Sequence, residues 1–138
     1  MKHITRSIFV LFVFVGLLLS GCGPKESTTE KISPSQLEEI DGSELKRVIL
    51  TEKAAERIGV ETVASSGTEV PYAAVIYDIE GNTWIYTNPE PLTFVRAPIE
   101  IDHIEGDTAI LAESLPSELN VVTVGVAELW GTETGVSK

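Results

Sequence analysis

Apolar residues fall into three stretches of different texture along this chain. Ile8 to Leu19 is apolar throughout, broken only by Gly16. From residue 23 to about 47 only Ile32, Leu37, Ile40 and Leu45 are apolar, among prolines, serines and mixed charges. From Val48 onward apolar residues recur at short, regular intervals. The first stretch spans 12 residues, below the roughly 18 to 20 that a helix needs to cross a bilayer. With Lys2 and Arg6 ahead of it and small residues behind, it reads as a secretory signal. The second reads as a flexible tether, with at most a helical turn over residues 36–40. At that length it has a root-mean-square span of about 25 to 30 Å.

The third stretch predicts a folded unit. Thr51 to Gly59 reads as a short helix: Thr51 suits the N-cap, Glu52 the positive helix start, Arg57 the negative end, and Gly59 a left-handed C′ position. Its apolar face (Ala54, Ala55, Ile58) is narrow and suits capping a sheet. Val70 to Tyr77 and Thr83 to Thr87, around the turn cluster at 78–82, predict a hairpin. Asn88 to Pro91 breaks the pairing. Val95, Ala97, Ile99 and Ile101 then alternate with Phe94, Arg96, Pro98 and Glu100, the pattern of a half-buried strand. Pro98 places an edge or bulge there. Residues 108–112 and 119–126 supply the last strands. The expected fold is mainly β: a single small antiparallel β-barrel or sandwich-like domain with one short helix. The expected organisation is 1–21 signal peptide, 22–47 flexible tether and 48–138 β domain.

Charge narrows the functions available. The formal net charge is -11, and removing residues 1–21 takes away Lys2 and Arg6 and no acid, leaving the mature chain near -13. Anionic phosphate repels such a surface, which excludes nucleic acid as a partner and holds the domain off lipid headgroups.

Cys22 is the sole cysteine, and it directly follows the apolar run. Leu19-Ser20-Gly21-Cys22 resembles a bacterial lipobox. That resemblance implies cleavage before Cys22 and covalent lipid on it, with no other cofactor. Two or more acyl chains hold a protein stably at a membrane, where one does so only marginally. The expected product is an extracytoplasmic lipoprotein on the cell membrane or outer membrane. No cysteine remains for a disulfide, so the domain relies on its own core.

A second resemblance covers most of residues 50–136. Leu50 to Thr62 looks like the segment that opens the β-barrel region of periplasmic adaptor subunits (membrane fusion proteins) of tripartite efflux systems. Val70-Pro71, Ala74 to Asp78, Gly81, Thr83 to Tyr86, Phe94 to Arg96, Val121 to Gly125, Ala127 to Leu129 and Gly131 are similar to the membrane-proximal part of the same proteins. The departures are Ser114 and Glu118 where glycines are usual, and Leu119 where an acidic residue is common. The lipoyl-like domain and long helical hairpin of a full adaptor have no counterpart in these residues. The resemblance implies a lone membrane-proximal-type module that docks a transporter permease or an adaptor subunit.

Candidate chemistry is sparse. His103 with Asp102 and Ser114 or Ser117 lacks the nucleophile setting of a hydrolase, and it has no cysteine or second histidine for zinc. Asp102, Glu105 and Asp107 supply hard oxygen donors without the spacing of a calcium loop. No enzymatic constellation is expected, and no metal site. Trp84 and Tyr86 share one face of a strand, where such a pair packs in a core or forms a docking patch. Arg96 is the one basic residue between Arg57 and Lys138, suited to a local ion pair. Trp130 seals the sheet end or anchors a partner. Trp84, Tyr86, Arg96 and Trp130 are the candidate docking residues. The leading expectation is a non-catalytic docking module, and the alternative is a carrier or sensor of a small ligand or ion.

Overall fold

The computed structural model describes residues 33–136. Strands β1 (Ser35–Glu39) and β2 (Lys46–Leu50) form a hairpin, followed by α1 (Glu52–Ile58) and β3 (Glu61–Ala64). Next come β4 (Glu69–Pro71), a 3-10 turn (Tyr72–Ala74), β5 (Ile76–Tyr77), β6 (Thr83–Glu90) and β7 (Thr93–Ile99). The chain ends with β8 (Ile101–Glu105), β9 (Thr108–Leu111), β10 (Asn120–Val124) and α2 (Val126–Thr134).

All strand pairings among the described residues are antiparallel. A seven-stranded sheet runs β1-β2-β7-β6-β10-β3, with β5 also on β6, and a three-stranded sheet runs β4-β9-β8. The chain passes from the large sheet to the small one between Ile99 and Ile101. Neighbouring residues on the central strands point to opposite faces, as extended backbone requires. Ile85 and Val121 join Val70, Ala74, Ala109 and Leu111 between the sheets. Tyr86 and Val122 join Val48, Leu50 and Phe94 beneath α1 and α2. All four of these central residues are fully buried. The domain is mainly β and sandwich-like, with a helical layer on the outer face of the large sheet. Its sheets do not close into a barrel. No helix among the described residues is long and apolar enough to cross a membrane.

Helix α1 forms as its sequence dictates. Ala54 N–H donates to the Thr51 hydroxyl at 3.2 Å, and Gly59 takes φ 70°. Gly59 N–H donates to the Glu56 carbonyl and Val60 N–H to that of Ala55, both at 3.2 Å, which closes the end with two of the otherwise free carbonyls. Over β7 the alternation is as expected, with Phe94 facing the helices and Ala97 and Ile99 facing the small sheet, but the single strand expected over 92–101 is two, since Ile101 opens β8 in the small sheet itself. Strand β2 pairs with β7 only at Thr93 and Phe94, so Pro98 lies on a stretch with one unpaired flank.

Four further expectations need correction. The segment expected as a tether to residue 47 contains β1 and the first two residues of β2, which pairs with β1 from Ser35↔Leu50 to Glu39↔Lys46, and residues 36–39 are strand rather than a helical turn. Val70 to Tyr77 is two short strands in different sheets, separated by the 3-10 turn. The break expected at Asn88 to Pro91 does not end β6, which runs to Glu90 through a bulge after Thr87. Among the described residues there are two α-helices rather than one: β10 stops at Val124, and Gly125 at φ 88° opens α2.

Candidate binding groove

Antiparallel pairing of β6 with β7 sets Tyr86 directly opposite Arg96 and Trp84 opposite Pro98. Trp84, Tyr86 and Arg96 therefore share the face that α2 covers. Along α2, Trp130 and Glu133 are three residues apart and project from one side of the helix. Packing of Leu129 and Val126 on the sheet brings both down onto β6 and β7.

The guanidinium of Arg96 lies between two indoles, 4.7 Å from the ring centre of Trp84 and 4.7 Å from that of Trp130. Its Nε is 2.9 Å from Oε2 of Glu133 and donates to Oε1 at 3.1 Å. The Glu133 side chain is 3% exposed and that of Arg96 13%. Glu133 also accepts from the Tyr86 hydroxyl, and from Lys46 N–H at 3.3 Å. Burial, then the hydrogen bond to Glu133, push the Tyr86 phenol well above its ordinary value. Of the Arg96 donors, only Nε has an acceptor among the described residues. The Nη groups, beside the two indoles, have no acceptor among the described residues.

The turn between β5 and β6 builds the next wall. Asp78 accepts from Asn82 N–H at 2.8 Å, Glu80 N–H at 3.0 Å and the Asn82 side-chain amide at 2.9 Å. It also accepts from the Trp84 indole N–H at 2.9 Å, which fixes that ring against Arg96. Partial desolvation opposes ionisation, yet the hydrogen bonds from Asn82, Trp84 and Glu80 prevail and lower Asp78 to about 2. The turn holds Ile79 outward, 98% exposed.

Together these elements enclose a groove of about 800 Å3 floored by Trp84, Arg96 and Trp130. Its sides carry Glu44 and Leu45 from the β1–β2 loop, Asp78 to Glu80 from the turn, and Val136 beyond α2. Val136 is 78% exposed. The Arg96 charge is already matched by Glu133. The rim is therefore acidic, through Glu44, Asp78 and Glu80.

All four candidate docking residues meet at this one place, in different roles. Trp84, Arg96 and Trp130 reach the groove, whereas Tyr86 is fully buried and acts by holding Glu133. Sequence reading missed Glu133. Its one signal is the spacing of three from Trp130, which has meaning only once residues 126–134 are known to be helical. Leu19, Ser20, Gly21 and Cys22 lie outside the described residues. His103 is exposed on β8, where its ring nitrogens contact Asp102 at 2.7 Å and Glu105 at 3.1 Å, so neither serves a serine. The hydrogen bonds to Asp102 and then Glu105 raise its pKa. Among the described residues, no group of three or more histidine, cysteine, aspartate or glutamate side chains is arranged to hold a metal ion.

No protein-family model matches this chain, and no curated protein or solved structure matches it.

Proposed function

We propose that this chain is a non-catalytic extracytoplasmic lipoprotein, anchored through Cys22, whose β domain docks a membrane transporter permease or an adaptor subunit through the groove floored by Trp84, Arg96 and Trp130. One observation carries the reading. An arginine is locked by a buried glutamate between two tryptophans at the surface, with its outer donors lacking an acceptor among the described residues and exposed Ile79 alongside. Tryptophan and arginine held rigidly around a desolvated centre are the residues that dominate protein–protein affinity, because little side-chain freedom is lost on contact. The lipobox resemblance supplies the membrane, and the adaptor resemblance supplies the class of partner.

Affinity isolation of the full lipoprotein from detergent-solubilised membranes tests this. Wild-type protein should recover a transporter permease or adaptor. Ile79→Ser, a change at a residue 98% exposed and so harmless to the fold, should deplete it. Recovery of no transport protein, or equal recovery by both, contradicts the proposal.

The size of the groove also favours the second reading, a carrier or sensor for a small ligand, since pockets of about 300–1,000 Å3 suit such molecules. Calorimetry of the lipoprotein against a metabolite panel and Ca²⁺ separates the two, because docking alone produces no heat with either.

A further inference from the structure

The rim of the groove specifies more than the presence of a partner. Glu44, Asp78 and Glu80 all line it, while Arg96, the one cation among the described residues lining it, is compensated by Glu133. An incoming carboxylate or phosphate would meet three like charges and a guanidinium already paired. Arg96 thus contributes donors rather than net charge: its Nη edge, without a protein acceptor among the described residues, suits a neutral oxygen such as a peptide carbonyl. Ile79 and Val136 add apolar contact at the edge. The same carboxylates disfavour an anionic lipid surface as the occupant.

Building on the docking reading above, we infer that the groove takes an extended basic segment of a partner protein. Lysine or arginine side chains of that segment meet Glu44 and Glu80. An apolar side chain rests on Ile79 and Val136, and a backbone carbonyl accepts from Arg96.

The chain has two tryptophans, and both floor the groove, so its indole emission reports occupancy there directly. The full lipoprotein in zwitterionic nanodiscs would be titrated with a short unstructured peptide of lysine, valine and serine, and with its glutamate-for-lysine counterpart. The basic peptide should give a saturable change in emission that weakens with salt, and the acidic one none. Replacing both rim acids (E44Q with E80Q) should weaken binding about fivefold, the size expected for two exposed ion pairs. Replacing Asp102 and Glu105 (D102N with E105Q) removes the same charge far from the rim and should leave affinity unchanged. Equal binding of the acidic peptide, an equal loss in both double variants, or no response to the basic peptide overturns the inference. If affinity isolation still yields a transporter dependent on Ile79, only the basic character of the segment is wrong. If that also fails, the docking reading falls with it.

Discussion

Glu133, in the last turn of α2, closes on Arg96 of β7 across 37 residues of sequence. A buried pair of this kind adds little net stability over an apolar replacement, because both charges lose water. Its effect is positional: it fixes where the guanidinium stands between the indoles. Removing one partner is a different matter, since the other charge is stranded in place. Glu133→Ala should destabilise the domain by about 3–5 kcal/mol, read by urea denaturation. Tyr86→Phe should cost about 1–3 kcal/mol through the unmet Glu133 oxygen. Replacing the pair together, Arg96→Met with Glu133→Leu, should regain most of the first loss. A Glu133→Ala variant as stable as wild type would show that the pair is not locked.

Gly125 joins β10 to α2 at φ 88°, a conformation that costs other residues about 1–2 kcal/mol. A Cβ there would also stand 2.7 Å from Cγ2 of Ile58 and 3.1 Å from Cγ2 of Val60. Gly125→Ala should therefore destabilise by about 2–4 kcal/mol in chemical denaturation. Because α2 carries Trp130 and Glu133, the same variant should shift tryptophan emission to the red before global unfolding. An alanine variant of unchanged stability and emission would contradict this.

Asp78 has a depressed pKa in the fold, about 2 against an ordinary 3.8. Its contribution is thus present above about pH 4 and is lost as pH falls through 2. Carboxyl carbon chemical shifts should titrate near 2 at this residue, and Asp78→Asn should remove that part of the acid dependence of stability. A midpoint near 4 would mean that the turn does not hold the Trp84 indole as described.

His103 shifts the other way. Its pKa is raised by the hydrogen bonds to Asp102 and Glu105, so its contribution is complete below the ordinary histidine value and fades as pH rises through the raised one. Proton NMR should place its midpoint above that of an unpaired histidine, and Asp102→Asn should lower it. An unshifted midpoint would show that the contacts do not persist in solution. With a ring exposed on β8, the effect on overall stability should be small.

Much of the architecture could be read before any coordinates, because burial wrote it into the residue pattern. Phe94 and Arg96 against Val95 and Ala97 announce one strand with two faces, and Thr51 with Gly59 announces the bounds of α1. Strand β1 left no such trace. Its residues are half-buried at Ser35 and exposed thereafter, so backbone pairing and one exposed ion pair, Glu38 with Arg47, hold it and its composition reads as linker. Helix α2 was hidden for another reason. Gly131, Thr132 and Thr134 are poor helix formers, and burial of Leu129 and Val126 on the sheet overrides that preference. The groove follows the same division. Trp84, Tyr86, Arg96 and Trp130 each stand out as residue types, but their convergence depends on the β6–β7 register and on α2, neither of which is local.

Photo-crosslinking in living cells addresses the central claim most directly. A benzophenone side chain would replace Ile79 at the groove in one strain and Val63, exposed on the far edge strand β3, in another. Ultraviolet irradiation should join the Ile79 position to a membrane transport protein and leave the Val63 position free of it. Adducts at Val63 alone, or none at Ile79 in a lipidated and folded protein, would contradict the groove as the docking site.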